Sequence, residues 1–426
     1  MSEGLRCYPS YKETNIDWLK GIPINWDIKK IKYVFDNLDY KRIPLSAEIR
    51  GSMRNKIYDY YGASGVIDKV EDYLFDETLI LVGEDGANLF SRSTPLAFLA
   101  EGKYWVNNHA HILKPKKGNI HYFVNLLECI DYSIYISGSA QPKLTQDALG
   151  NIIIPVPSLE EQDNIVNYLI PKLDRIDSLI AVKEKLIELL EEKRQAIITE
   201  AVTKGLNPNV KMKDSGVEWI GEIPEHWEEK KIKYLFYETN DRNFSEDVEL
   251  LSLFTSIGVK PRREMEDKGN KSQTVMNYKV VKKGDIVVNK LLAWMGSVGI
   301  SEYEGVTSPD YDVYRPLNEK LIHNNYYHYY FRNHYFKGDC YKYGRGIMLM
   351  RWRTYPEQFK SILVPVPPYK EQMDIANHVE QINTEIQELI SELNESISKL
   401  KEYRQSLIYE AVTGKIDVRD YKKVLS

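Results

Sequence analysis

Two long stretches of the chain have the apolar spacing of amphipathic helices. From Leu159 to Ile197 apolar residues recur at spacings of three, four and seven, and the same pattern runs from Ile375 to Leu407. Each stretch covers about 40 residues, so each helix would be ~60 Å long. Ser158 predicts a capping box with Glu161 at the start of the first helix, and Pro171 predicts a kink in its first turns.

Helices of this length with a narrow apolar stripe require a partner. The most economical partner for each helix is the other one. Because a globular segment separates the two in the sequence, we expect an antiparallel coiled coil with one globular domain at each end. The alternative is two independent amphipathic helices, each packed on its own domain.

The globular segments combine strand and helix patterns. Residues 76–90 and 283–294 each contain a short apolar run followed by a polar loop, and 103–115 and 308–316 alternate as strands do. Aromatic helical stretches follow at 120–130 and 324–336, and loops at 137–149 and 343–359. These patterns predict an α+β fold. The predicted parts are a first domain at 1–157, a first helix at 158–205, a second domain at 206–367, and a second helix with the C-terminal tail at 368–426.

The chain repeats itself. Pro23 and Trp26 match Pro224 and Trp227 at an offset of 201 positions, whereas IIPVPSLEEQDNI (153–165) matches LVPVPPYKEQMDI (363–375) at an offset of 210. The sequence EAVT ends both helical stretches, also 210 positions apart. The segments 36–150 and 237–360 share little beyond general character. The helices therefore keep their register while the globular segments have diverged, as in a common scaffold that carries two different readers.

Composition and charge narrow the class of protein. The net charge is −5, and the three cysteines, odd in number and far apart, imply neither a disulfide framework nor a zinc site. No apolar run is long enough to span a membrane and no signal peptide begins the sequence, so we expect a cytoplasmic protein. Net acidity is unusual for a DNA-binding protein. The helix at 158–204, however, carries ten acids against seven bases, and the region 337–360 carries six bases against two acids. The acidic helix face is either merely solvated or a docking surface for proteins.

The order of these motifs resembles that of a known family. A Trp motif, PVPxxxEQ and a long helix ending in EAVT occur twice, with SGSAQPKL before the first PVP, and the arrangement resembles the specificity subunit of type I restriction–modification enzymes over nearly the whole chain. The resemblance implies two target-recognition domains in a pseudo-two-fold arrangement, each similar to the DNA-reading domain of N6-adenine methyltransferases. It also implies that the antiparallel helices act as a spacer.

The function that the resemblance implies is DNA recognition without catalysis. Each domain would read one half of a bipartite, asymmetric target in double-stranded DNA. Two modification subunits, which bind S-adenosylmethionine, and restriction subunits, which use ATP and Mg²⁺, would be the partners. The resemblance implies no cofactor and no membrane contact for this chain.

Base recognition in the major groove needs Arg, Lys, Asn or Gln side chains on loops, along with contacts to phosphates. In the first domain these candidates follow the apolar run at 79–82 or lie in the SGSAQPK loop: Asn88, Ser91, Arg92, Gln141 and Lys143. In the second domain they lie in a polar insertion, after the matching strand and in the following loop: Arg262, Arg263, Asn289, Lys290, Arg345, Arg351 and Arg353. Surface arginines and lysines are more often only solvated.

Other residues invite other interpretations. We expect Trp26 and Trp227 to anchor the core where domain and helix meet, rather than to stack on bases. His109 and His111 lie two apart on an alternating strand, but no carboxylate or cysteine is near in sequence, so we expect no metal site.

Two other functions compete with DNA recognition. A methyltransferase would need an NPPY-type tetrapeptide, and Asn207-Pro208-Asn209 lacks its aromatic residue; a nuclease built on Pro309-Asp310 would need a Glu-x-Lys that does not follow. A coiled-coil scaffold that binds only protein is the second alternative. It predicts no DNA affinity.

Overall fold

The computed structural model describes residues 7–16, 18–138, 142–255, 257–264, 274–346 and 352–421. These residues form two compact units. The first comprises Met1–Lys183 and Glu395–Ser426, and the second comprises Glu184–Asn394. Each unit contains one globular domain and part of both long helices.

The first unit is built largely from antiparallel strands. Its strands are β1 (Tyr11–Ile16), β2 (Leu19–Pro23), β3 (Asp27–Lys30), β4 (Phe35–Asn37), β5 (Tyr58–Gly62), β6 (Gly65–Val70), β7 (Phe75–Asp76), β8 (Leu79–Gly83), β9 (Ala97–Ala100), β10 (Lys103–Val106), β11 (Ala110–Pro115) and β12 (Ile153–Val156). Its helices are α1 (Ile31–Val34), α2 (Ala47–Ser52), α3 (Asn88–Ser91), α4 (Ile120–Cys129), α5 (Gln146–Asn151) and the first part of α6 (Leu159–Lys204), with a 3₁₀ turn at Asp39–Lys41.

Two four-stranded sheets form the first domain. One has the order β4-β11-β8-β9 and is antiparallel throughout. The other has the order β6-β5-β10-β7, with β10 parallel to β5. All five residues of β8 are buried, so this strand reads as a continuous apolar run rather than an alternating one.

The second unit contains the remaining elements. Its strands are β13 (Met212–Asp214), β14 (Glu222–Pro224), β15 (Glu228–Lys231), β16 (Phe236–Thr239), β17 (Leu251–Phe254), β18 (Gly258–Pro261), β19 (Lys279–Val281), β20 (Ile286–Asn289), β21 (Val298–Ile300), β22 (Gly305–Thr307), β23 (Tyr311–Pro316) and β24 (Leu363–Val366). Its helices are α7 (Asn324–Arg332), α8 (Phe336–Tyr343), α9 (Pro356–Ser361) and the first part of α10 (Tyr369–Val412), with 3₁₀ turns at Ile232–Tyr234, Arg262–Glu264 and Ala293–Met295.

The two domains share one sheet and differ in the rest. The sheet β16-β23-β20-β21 repeats the order of β4-β11-β8-β9, and β15–β24 repeats the pair β3–β12. In place of the other four-stranded sheet, the second domain has the two-stranded pairs β17–β18 and β19–β22. The predicted α+β fold is confirmed. The two domains differ in the elements outside the shared four-stranded sheet, in agreement with the divergence of their sequences.

The Gln of each PVPxxxEQ motif is buried where domain and helix meet. Gln162 donates from Nε2 to the Pro157 carbonyl at 3.1 Å and accepts the Asn119 amide at 2.9 Å. Gln372 donates to Pro367 at 2.8 Å and accepts the His323 amide at 2.8 Å. Each glutamine thus joins the first turn of a long helix to the residue just before an aromatic helix, α4 or α7.

The end of each long helix packs on a tryptophan of the repeat. Tyr122 donates its hydroxyl to the Val412 carbonyl at 3.1 Å in the first unit, and Tyr326 donates to Val202 at 2.8 Å in the second. Trp26 and Trp227 are buried beside these helix ends, which confirms them as core anchors. A Cβ on Gly414 would lie 3.0 Å from the Trp26 ring, and one on Gly205 would lie 3.2 Å from Trp227. Both glycines have positive φ, as expected where a helix ends in a left-handed residue.

The two long helices are antiparallel within each unit. In the first, Arg404 of α10 donates to Asp177 of α6 at 2.8 Å, and the Tyr168 and Tyr421 rings are 5.0 Å apart. In the second, Val202 near the end of α6 and Val379 near the start of α10 belong to one core cluster. The predicted antiparallel pair is confirmed, and the alternative of helices packed only on their own domains is wrong, because the end of α10 packs on the first domain.

Two local features of the first long helix bear on the sequence analysis. Ser158 Oγ accepts the Glu161 amide at 3.3 Å, as an N-cap residue does. Pro171 lies inside α6, which is 46 residues long, and the kink expected there stays a prediction. The helices α6 and α10 together carry 19 acids and 11 bases, so the rest of the chain has an excess of three bases.

Within the described ranges, no helix is both long and apolar enough to cross a membrane.

Candidate DNA interface

In the first domain, the SGSAQPKL loop returns to the end of the buried strand β8. The Leu144 amide donates to the Glu84 carbonyl at 2.8 Å, and the Gly86 amide donates to Pro142 at 3.3 Å. Ser137 and Lys143 exchange two backbone hydrogen bonds of 2.9 Å. We call Ser137, Lys143 and Leu144 the loop base of the first domain. Residues 139–141 between them, including the candidate Gln141, lie outside the described residues.

Next to this loop base lies a cluster of charged side chains that we call the buried ion cluster: Asp39, Arg42, Glu84, His111 and, from the loop base itself, the exposed Lys143. His111 Nδ1 lies 2.6 Å from Asp39 Oδ2, and Lys143 Nζ lies 3.0 Å from Glu84 Oε1. Arg42 bonds to Glu84 and, at 2.9 Å, to the Ala110 carbonyl. His111 is 0% exposed, and both carboxylates are buried.

The surroundings keep both carboxylates of the cluster ionised. Burial alone would raise the pKa of Asp39, but the hydrogen bond and charge of His111, the Ile112 amide and Arg42 outweigh it, so this pKa lies below its usual 3.8. Burial would likewise raise the pKa of Glu84, but Arg42, His111 and Lys143 outweigh this effect, so the pKa lies below its usual 4.5. The positive partners thus stabilise the charged forms.

The second domain has a corresponding loop base. The Thr354 amide donates to the Lys290 carbonyl at 2.9 Å, as Leu144 does to Glu84, and Arg345 and Arg353 exchange backbone hydrogen bonds of 2.9 and 3.0 Å. Asp312 in β23 binds Lys279 Nζ at 3.0 Å and lies 3.7 Å from Lys290 Nζ. Asp312 and Lys279 are both buried.

Three of the candidate residues in the first domain belong to one short turn after β8. Asn88 closes it, accepting the Thr94 amide at 3.0 Å and donating to the Thr94 carbonyl at 3.0 Å. Ser91 donates to Ser93 at 3.3 Å. Arg92 donates to the Ile130 carbonyl at 3.2 Å and pairs with Glu128 at 3.2 Å, which ties the turn to the end of α4. Lys143 belongs instead to the loop base, where it is exposed.

The candidates in the second domain are divided between the loop base and a separate turn. Lys290, Arg345 and Arg353 meet at the loop base, whereas Arg351 lies outside the described residues. Asn289 is buried and accepts the Leu291 amide at 3.1 Å. Arg262 and Arg263 form a 3₁₀ turn after β18, and Arg263, largely exposed, lies 3.1 Å from Glu249. DNA contact by any of these residues stays a prediction.

Arg345 and Arg353 also line a cleft of about 990 Å³ together with Glu238, Tyr355, Glu357 and Gln358. Guanidinium groups donate in a fork that fits the O6 and N7 acceptors of guanine or a phosphate. The cleft therefore offers the chemistry that base or phosphate recognition requires, at the predicted loop.

The sequence profile of the type I restriction modification DNA specificity domain matches the chain twice, at residues 23–192 and 224–399. Together the two matches cover most of the chain. The chain belongs to the type I restriction–modification specificity family. As a specificity subunit, it recognises DNA sequence through its two domains and is itself non-catalytic.

Individual relatives agree with this assignment. The chain is 26% identical over 384 residues to a putative type I restriction enzyme specificity subunit of Haemophilus influenzae, covering 86% of this chain and 89% of that protein. It is 27% identical over 451 residues to the putative MjaX specificity subunit of Methanocaldococcus jannaschii, covering 96% and 98%. A chain solved in work on complex assembly and conformational transition of the type I restriction–modification system has the same fold, with a TM-score of 0.66, 14% identity and coverage of 93% and 99%.

The buried ion cluster of this specificity subunit was missed by sequence reasoning. His109 and His111 do not share partners: His109 pairs with Asp85 at 2.8 Å, whereas His111 faces Asp39. No carboxylate is near these histidines in the sequence, but the fold brings two of them close to His111. The ligand atoms of Asp39, Glu84 and His111 lie within 4.8 Å of one another. Arg42 and Lys143 already occupy these carboxylates, which favours an ion network over a metal site. The sequence signal that could have indicated the cluster is a charged residue directly after an apolar strand, such as Glu84 after β8.

Proposed function

We propose that this specificity subunit recognises a bipartite, asymmetric target in double-stranded DNA, with one half read by each domain. One observation carries the proposal. The same junction of β3–β12 or β15–β24, buried Gln and helix end is built twice, around domains whose loop bases present different side chains. A repeated scaffold with two different readers suits a target of two unlike halves.

We infer that modification subunits dock on the long helices. Leu186 and Leu189, on the part of α6 that belongs to the second unit, are 43% and 48% exposed. An apolar stripe on an otherwise charged helix fits the apolar face of a partner helix. S-adenosylmethionine would then be bound by two modification subunits, and ATP and Mg²⁺ by restriction subunits, in the cytoplasm where the DNA is.

The decisive experiment is to co-express the chain with modification subunits from the same restriction system and to map methylated adenines across a genome. We expect a motif of two specified halves separated by an unspecified gap. A short continuous motif, or none, would sink the proposal.

A titration of the assembled complex with duplex DNA provides a second measurement. DNA recognition predicts affinity that falls with salt, with a slope of about −0.9 per phosphate contacted. A scaffold that binds only protein predicts no affinity at any salt concentration.

A further inference from the structure

The buried ion cluster contacts the loop base of the first domain through His111 as well as through the Lys143–Glu84 ion pair. His111 Nε2 lies 2.7 Å from the Leu144 carbonyl, while its Nδ1 lies 2.6 Å from Asp39. Both partners are oxygen acceptors, so each ring nitrogen of His111 faces one of them. His111 therefore connects the interior of the domain to the loop base.

Two positions of this cluster recur in the second domain with residues of another type. His111 is paired with Val82 across β11 and β8, and Asp312 is paired with Val288 across β23 and β20. Glu84 lies two residues after Val82 in the chain, and Lys290 lies two residues after Val288. The acid Glu84 is thus replaced by the base Lys290 in the other domain, and His111 is replaced by the carboxylate of Asp312.

This replacement argues for a role that depends on geometry rather than on one residue type. Buried ion pairs contribute little net stability, because desolvation offsets their attraction, and apolar residues of similar volume often replace them without loss. Their directional hydrogen bonds instead favour one arrangement of the groups that they connect. In the first domain His111 contacts the Leu144 carbonyl directly. In the second domain Asp312 lies 3.7 Å from Lys290 Nζ, and the Lys290 carbonyl accepts the Thr354 amide.

We propose that His111 and Asp312 are positioning residues. They fix the loop base of their own domain and thereby set the half-site that this domain reads, without touching DNA themselves. This inference rests on the proposed function, since it assigns to each cluster one half of the target.

Two substitutions of His111 separate the loop contact from the ion pair. His111→Asn places its amide where Nδ1 lies and keeps a donor for Asp39, but it does not reach Leu144. His111→Gln places its amide near Nε2 and keeps the donor for the Leu144 carbonyl. His109→Gln is the matched control, because His109 lies just before β11 and its ring pairs with Asp85 at 2.8 Å rather than with Asp39 and Leu144.

The readout is the map of methylated adenines made by the complex with modification subunits. We expect H111N to lower methylation at the wild-type motif about tenfold or to relax one half of it, the loss of a buried hydrogen bond being sufficient for this. H111Q should keep the motif, H109Q should leave both halves unchanged, and Asp312→Asn should alter only the other half. A merely structural role predicts lower thermal stability of H111N with the motif intact. That result, or equal changes in H111N and H111Q, would overturn the proposal.

A second measurement does not depend on DNA. In the full chain alone, hydrogen exchange of the Leu144 amide should be about tenfold faster in H111N and unchanged in H111Q. If the wild-type complex makes no bipartite motif, the proposed function fails, and this exchange then decides whether His111 anchors the loop base. Unchanged exchange in H111N overturns the inference, as does tight Zn²⁺ binding by the wild type that H111N loses, since that would make the cluster a metal site.

Discussion

Asp39 and Asp339 are both buried, yet their surroundings shift their pKa values in opposite directions. The pKa of Asp39 is lowered because His111 and the Ile112 amide outweigh burial. The pKa of Asp339 is raised above 3.8 because burial outweighs the Trp219 indole, which donates to it at 2.7 Å, and the charge of Lys342. One carboxylate is stabilised by its partners, and the other is only partly compensated.

This contrast predicts opposite effects of two isosteric substitutions. Because the pKa of folded Asp39 is depressed, its stabilisation is present above 3.8 and is lost as the pH falls through the folded value. Asp39→Asn should therefore lower the urea midpoint at neutral pH, and its difference from the wild type should shrink in acid. Because the pKa of folded Asp339 is raised, stability is lost as the pH rises through that value. Asp339→Asn, which keeps an acceptor for Trp219, should raise the midpoint at neutral pH.

Urea titrations of the wild type and both variants at several pH values measure these effects. Tryptophan fluorescence and circular dichroism provide two independent probes of unfolding for each variant. Equal shifts of the same sign at neutral pH would contradict the assigned environments.

At the scale of elements, each PVPxxxEQ motif joins a strand, a long helix and an aromatic helix through its glutamine. Gln162 is 1% exposed and Gln372 is 0% exposed, and both amide ends are used by backbone groups. The motif is therefore a structural joint, and this accounts for its presence in both halves of the chain.

Gln162→Leu should destabilise the first unit. Leucine leaves the Pro157 carbonyl and the Asn119 amide without their buried partner, which costs about 1–3 kcal/mol. Calorimetry should show a lower transition temperature for this variant and for Gln372→Leu. Gln195→Leu, at an exposed position of α6, is the matched control and should change stability by no more than about 0.5 kcal/mol. A joint that tolerates leucine would show that packing, not hydrogen bonding, holds it.

Elements with strong local patterns were predictable, and contacts between distant segments were not. The spacing of apolar residues gave both long helices, and the alternation at 308–316 gave β23. The buried ion cluster combines residues 39, 84, 111 and 143, which no local pattern relates. Likewise, the hydroxyl of Tyr122 finds its acceptor at Val412, 290 positions away, because the chain returns to the first domain at its second helix end.

At the scale of the whole molecule, the charges are distributed unevenly along the chain. The two long helices hold the excess of acids, and the remainder of the chain has three more bases than acids. The acidity that argued against DNA binding therefore belongs to the two long helices rather than to the domains. Electrostatic attraction to phosphates depends on the local charge of the reading surface, so the total of −5 does not oppose recognition.

Replacement of residues 36–150 by the corresponding segment of another specificity subunit should change one half of the recognised target and leave the other half intact. The cut points keep β3 and β12, whose pairing runs from Asp27–Val156 to Lys30–Ile153, together with Trp26 and Gln162. The incoming segment must supply the Tyr122 hydroxyl, because the end of α10 depends on it. Replacement of 237–360 is the reciprocal test and should change only the other half. Mapping of methylated adenines for both chimeras decides the matter: if either one altered both halves, the domains would not read independently, and specificity would have to reside in the pair rather than in each loop base.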